Sequence, residues 1–394
     1  MNHPVIYMDH AATTSVGKAA LDAMIPVLRN DYGNPSSLHS LGQKAANLLA
    51  DSRQKMARCL GASSDEIYFT SGGTEADNWA LTQMAALGAE SGKKHIISTA
   101  FEHHAVLHTL KRLQESGFEV TLLNVHEDGI VHLDELEAAI RPDTALVSIM
   151  YANNEIGTIQ PIAEIGALCK KHGVLFHTHA VQAVGHLPID VKKENIDLLS
   201  LSGHKFHGPK GVGILYCRRG IRLTNLIEGG GQERGKRAGT ENIPAIVGMS
   251  AALVDSCSHI DEYSAKVLHL REKLIDGVLS TIPRARLNGC RAHRLPGNTN
   301  FCFEGIDGES LLLRLDLEGI CASSGSACTA GSLDPSHVLL ALGLPRETAQ
   351  GSLRLTLDAV NTEEEVDYLL KKLPSIIEGL RKMSPAWKRL TGEA

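Results

Sequence analysis

Between residues 66 and 216 the chain alternates short β-type apolar runs with stretches of helical pattern. The β-type runs cover 66–70, 95–99, 119–123, 144–150, 175–178, 198–201 and 213–216, and helical stretches begin near Ala76 and Ala105. Strands separated by helices cannot pair as hairpins. They need crossover connections, and so lie mainly parallel in one sheet. This predicts an α/β fold built on a mainly parallel seven-stranded sheet. Such sheets bind ligands outside the carboxyl ends of their strands, which directs attention to the residues that follow each run.

At 394 residues the chain is too long for one ordinary core, and two domains are expected. After about residue 250 the pattern changes. One long helical segment over 242–282 leads to strands near 300–303 and 353–357, and helices close the chain over 362–382. This second part reads as a smaller α+β domain. A formal net charge of −6 argues against nucleic-acid binding or a membrane-surface role driven by charge. No apolar run reaches bilayer length. The start, Met1-Asn2-His3-Pro4, lacks the basic and apolar stretches of a signal peptide, so a cytoplasmic location is expected. The eight cysteines are scattered without a Cys-x-x-Cys pair, which argues against a disulfide framework and a zinc site.

Several strand-end segments carry residues suited to chemistry. In Ser71-Gly72-Gly73-Thr74-Glu75, glycines precede a helix. The free N–H groups of such a helix start suit a phosphate, which the Thr74 hydroxyl can join; a plain capped helix is the competing reading. In Ser202-Gly203-His204-Lys205 the lysine follows a buried strand, where desolvation makes an amine nucleophilic. Ser202 and His204 flank it as possible phosphate contacts, against the alternative of a solvated basic loop. In Phe176-His177-Thr178-His179-Ala180-Val181-Gln182 the two histidines share one face of a strand, but no third metal ligand is indicated and no metal is expected. At Glu102-His103-His104 an imidazole is placed to stack on an aromatic cofactor ring or simply to start a helix. Asn153-Asn154-Glu155 is a polar turn that can orient a carboxylate or only form the turn. Arg354 within a strand suggests a carboxylate partner through a bidentate fork, with a structural ion pair as the rival account. Cys328 lies among small residues, Ser326-Ala327-Cys328-Thr329-Ala330-Gly331, as suits a mobile thiolate nucleophile.

Together these segments resemble the cysteine desulfurases, NifS/IscS-like members of the class V pyridoxal-phosphate enzymes. The likeness runs from Tyr7-Met8-Asp9-His10-Ala11-Ala12-Thr13-Thr14, through Tyr32-Gly33-Asn34-Pro35 and Gly231-Gln232-Glu233-Arg234-Gly235, to the closing helices. It implies a fold type I transferase with a large cofactor-binding domain over 15–250. Residues 1–14 and 251–394 would form the small domain carrying the Cys328 loop. It also implies a role for each matching residue. Lys205 would bind pyridoxal 5'-phosphate as a Schiff base. Gly73, Thr74, Ser202 and His204 would hold its phosphate, with Thr240 reaching in from the partner of a homodimer. His103 would stack on the ring, and Gln182 would bond the phenolic oxygen. Asn154, Arg354 and Asn34 would grip the carboxylate of L-cysteine. Cys328 would take the sulfur as a persulfide, leaving L-alanine, and pass it to an acceptor such as an iron–sulfur scaffold protein.

The chain departs from that pattern twice. Where the resemblance leads one to expect aspartate facing the cofactor's ring nitrogen, it has His179. A carboxylate keeps that nitrogen protonated by charge and hydrogen bonding, and a lone imidazole does so less well. Three readings follow: a slowed desulfurase; a compensated variant or a related selenocysteine lyase; or a catalytically impaired sulfur-transfer partner. The second departure is Asp358, where glycine is expected.

Overall fold

The computed structural model describes residues 5–324 and 334–392, so Cys328 lies outside the described residues. Twelve strands are described: β1 Ile6–Tyr7, β2 Ile67–Thr70, β3 His95–Thr99, β4 Glu119–Leu123, β5 Thr144–Ser148, β6 Leu175–His179, β7 Leu198–Ser202, β8 Gly213–Cys217, β9 Ala285–Leu287, β10 Asn298–Phe303, β11 Ile320–Cys321 and β12 Ser352–Thr356. β2 to β8 form one seven-stranded sheet in the order β2-β8-β7-β6-β5-β3-β4. Only β8 runs against its neighbours, β2 and β7; the other pairings are parallel. Strands β3, β5, β7 and β8 are buried along their whole length, as expected of a sheet covered on both faces. Because β2 runs the same way as β7, the carboxyl ends of β2, β3, β5, β6 and β7 share one edge.

Two helices start at that edge: α1, Gly73–Glu90, after β2, and α2, His104–Glu115, after β3. α1 buries Ala76, Trp79, Ala80, Leu81, Met84 and Ala85. A side chain at Gly88 would meet Ala145 Cβ at 2.5 Å, which is how closely this helix lies on β5.

The remaining strands make an antiparallel β12-β10-β9 sheet and a parallel β1-β11 pair. Ile6 and Met8 enter a second core with Val267, Phe301, Leu353 and Leu369, so the N-terminal strand docks on the C-terminal part. The expected single helix over 242–282 is instead two, Ile243–Ser258 and Ile260–Thr281, bent by 72°. Residue 250, where the pattern change was expected, falls inside the first of them. That helix adds Ala245, Ile246, Met249, Ala252 and Leu253 to the core under the large sheet. The break comes at His259, whose backbone N–H bonds the Ser256 carbonyl as a helix end. No single helix among the described residues is long and apolar enough to cross a membrane.

Candidate active site

The common carboxyl edge gathers most of the singled-out residues. At α1, Gly72 has a φ of 155°, and a side chain there would stand 3.6 Å from Ser202 Oγ. A side chain at Gly73 would run into Val181 at 2.7 Å. Both positions therefore stay bare, and the N–H groups of the helix start are left uncovered beside the Ser202 hydroxyl. Thr74 is exposed on the same turn. His204 bonds Thr13 Oγ1 through Nδ1 at 3.1 Å. Burial, then the charges of Lys205 and Lys210, hold its pKa down at about 4, so it is neutral at physiological pH.

Lys205 ends the short turn after β7, and its Nζ donates to the carbonyls of Ala11 and Ala12 at 2.6 and 2.7 Å. Gln182 Nε2 donates to the same Ala11 carbonyl at 2.9 Å. The N-terminal strap thus ties these two residues together although they lie about 170 to 195 positions further along the chain.

His103 caps α2, accepting the Ala105 N–H on Nδ1 at 3.1 Å. Its ring lies parallel to that of His179, with planes 8° apart and centroids 5.3 Å apart. Burial, then the charge of His179, lowers its pKa to about 3. Glu102, beside it, is pushed up to about 7 by burial, against hydrogen bonds from Met150 N and Thr99 Oγ1.

His179, the last residue of β6, is buried, and its Nδ1 bonds Asp77 Oδ2 at 2.8 Å. Burial acts to lower the pKa of His179, but the Asp77 carboxylate outweighs it and the net shift is upward. Burial likewise acts to raise Asp77, yet His179 holds it below the ordinary carboxylate range. Asp77 was not singled out in the sequence. Its signal was periodicity: it sits three, four and seven positions before Ala80, Leu81 and Met84 on the buried face of α1, where an unpaired acid is costly. With Asp77 and His103, His179 has the third ligand that the sequence did not indicate, since the three offer ligand atoms within 4.8 Å of one another. His177 does not join them as a ligand. Its two nitrogens bond Ser148 Oγ and Ser200 Oγ at 2.8 and 3.0 Å, and burial depresses it to about 4.

Arg354 lies in β12, where its Nη2 donates to Asp9 Oδ1 at 2.9 Å and its Nη1 to the Asn154 carbonyl at 3.1 Å. Among the described residues the carboxylate partner is thus a single contact from the chain itself, not a bidentate fork, and the buried Nε has no hydrogen bond. Asn154 is brought to Arg354 through its carbonyl, while Asn153 forms the turn, accepting the N–H groups of Glu155 and Ile156. Asn34 is exposed and accepts the Ser36 N–H, which makes a local turn. Thr240 is exposed before the helix Ile243–Ser258. Neither has a described contact with the cluster. Asp358 does not touch Arg354 either: it is buried against His207 Nε2 at 3.2 Å and His10 Nδ1 at 3.9 Å.

The donor set suits pyridoxal phosphate: bare helix N–H groups and a hydroxyl for the phosphate, an amine for the aldehyde carbon, and a flat imidazole pair for the ring. Comparison with known proteins agrees. The family described as Aminotransferase class-V matches residues 6–369, and the chain belongs to it. Members of this family use pyridoxal phosphate. Within the family its relatives are cysteine desulfurases. The chain is 53% identical over 385 residues to cysteine desulfurase IscS of Clostridium botulinum, covering 97% of each chain. It is 54% identical over 380 residues to cysteine desulfurase IscS of Methanosarcina thermophila, covering 96% and 94%. A solved NifS-like protein superposes with a TM-score of 0.90 at 42% identity, over 96% of this chain and all of the other.

Proposed function

We infer that the chain is a cysteine desulfurase that removes sulfur from L-cysteine to give L-alanine and a persulfide on Cys328. The observation that carries this is the position of Lys205, whose amine is held at the carboxyl edge of the sheet on the Ala11 and Ala12 carbonyls, the first of which Gln182 also reaches. Pyridoxal phosphate held through Lys205 supplies an electron sink for the pair left when the substrate's α-proton departs. The rest is work for side chains of this chain. Gly73, Thr74, Ser202 and neutral His204 bind the phosphate, the helix dipole adding to the attraction. His103 covers one ring face, and its depressed pKa keeps a second positive charge away from the ring. Gln182 orients the phenolic oxygen. Arg354 takes the substrate carboxylate, its buried Nε having no hydrogen bond among the described residues, and Asn154 and Asn34 complete that end. The Cys328 thiolate attacks the substrate sulfur; the S–S bond forms, the C–S bond breaks, and carbon keeps the electron pair until a proton arrives.

The active assembly in this reading is a homodimer, with Thr240 contributed across the interface. In support, the helix Lys18–Asn30 and the loop after it expose Leu21, Ile25, Leu28, Tyr32 and Leu38, an apolar stripe that a second copy would cover. The seven described cysteines are free thiols, which suits the cytoplasm, and an iron–sulfur scaffold protein is the proposed acceptor. The test is alanine formation from L-cysteine and from selenocysteine by the native protein and by Cys328→Ala. The variant should lose cysteine turnover by about 100-fold or more while retaining selenocysteine turnover. Alanine formed from cysteine at the native rate by Cys328→Ala would exclude the persulfide route.

A further inference from the structure

Asp77 is a buried carboxylate, and among the described residues no lysine or arginine pairs with it. Among the described residues its one hydrogen bond is to His179 Nδ1, at 2.8 Å, and its other oxygen, Oδ1, makes none. The nearest cation candidate for Oδ1, His177 Nε2 at 3.7 Å, is already engaged with Ser200. An isolated buried charge is costly, so the pairing with His179 is what holds the carboxylate ionised in place.

The pairing also fixes the imidazole. A carboxylate only accepts hydrogen bonds, so the proton between the two groups lies on Nδ1, and whenever His179 is neutral its lone pair is on Nε2. Among the described residues Nε2 has no hydrogen-bond partner. The ring of His103 lies parallel to that of His179, with centroids 5.3 Å apart. We propose that Asp77, acting through His179, supplies the negative charge that this chain presents to the cofactor's ring nitrogen. With pyridoxal phosphate bound, His179 would stand between this carboxylate and the ring nitrogen, and Asp77 would act on the ring through it. In its neutral form the imidazole passes that charge on without carrying a net charge of its own, and a protonated ring nitrogen would not be repelled. On this account the histidine is a spacer between the acid and the ring, and Asp77 is a positioning residue one step removed.

The inference rests on the desulfurase reading, and its test separates the two. Asp77→Asn is made in the native chain and in a His179→Asp background, where an acid would face the ring directly. Three measurements apply to each: the ¹⁵N shifts of His179 in protein free of cofactor, the pH profile of visible absorption in the holoenzyme, and alanine formation. Thermal unfolding reports whether each variant is folded. In the native chain, Asp77→Asn should abolish the single Nδ1–H tautomer. It should also move the absorption midpoint by about one pH unit and slow alanine formation roughly 100-fold. In the His179→Asp background the same change should cost at least about tenfold less. Equal losses in both backgrounds, or an unmoved absorption profile, would overturn the proposal and leave Asp77 a structural group. A native protein that binds pyridoxal phosphate yet makes no alanine would instead refute the desulfurase reading. The tautomer and the absorption comparison would still decide the role of Asp77.

Discussion

The two walls of the site are built differently. One wall is the carboxyl edge of the large sheet, where His179 bonds Asp77 directly, the ring of His103 lies parallel to that of His179, and His177 stands 3.7 Å from Asp77. The other is assembled from afar: Ala11 and Ala12 come to Lys205 and Gln182, and Asp9 and Asn154 to Arg354, across 171 to 345 residues of sequence. The first wall is buried and its pKa values are strongly displaced by desolvation and mutual charge. The second is held largely by backbone carbonyls. The near wall can therefore change its chemistry by a side-chain substitution, while the far wall depends on two parts of the fold staying together.

That contrast can be broken at three points. The largest effect is expected where both walls meet. Lys205→Ala removes the amine bonded to the N-terminal strap, so turnover should fall by about 10³-fold or more and the visible absorption of the holoenzyme should vanish. Survival of the absorption would place the cofactor on another group. A smaller effect is expected on the far wall alone. Arg354→Ala should cost about 1.5–3 kcal/mol of substrate binding, read as a rise in KM of roughly 10- to 100-fold. A fall in kcat with KM unmoved would show that Arg354 serves the fold and not the substrate.

The smallest effect is expected outside both walls, at Asp358. Burial acts to raise this carboxyl, but His207, with His10 and His186 further off, brings it to about 2. Its contribution to stability is present above the unfolded carboxylate value, about 3.9, and is lost as pH falls through about 2. His207 is raised by its hydrogen bond to Asp358, burial acting against it. Its contribution is full below about pH 6.5 and is lost as pH rises through the raised value. Asp358→Asn should therefore destabilise by about 1–2 kcal/mol at roughly pH 5 and by less at roughly pH 9. Urea unfolding at both values measures it, and an equal loss at both would remove His207 from the account.

Much of the near wall was legible in the sequence because strand and helix periodicities are local. The alternation over 66–216 gave the sheet, and the strand ends placed Lys205, His103, His179 and Ser202 at one edge. Asp77 escaped notice because a single acid in a helix is ordinary until its neighbours are known to be buried. The far wall was hidden for a different reason. Nothing in Ala11 or Ala12 as residue types marks a carbonyl that will accept from a lysine almost two hundred positions away. The helix break at His259 was missed because apolar pattern continues on both sides of it.

Arg354 carries one more consequence. Its backbone exchanges two hydrogen bonds with Ser323, N–H to carbonyl in both directions, at 2.6 and 3.2 Å. Cys328 follows that anchor by five residues, and five residues of chain span at most about 18 Å. The arginine proposed to seat the substrate is thus also the post to which the proposed sulfur carrier is tied by sequence. In the proposed reading, the sulfur would be handed over within that distance of Ser323, and so close to the arginine that seats the substrate.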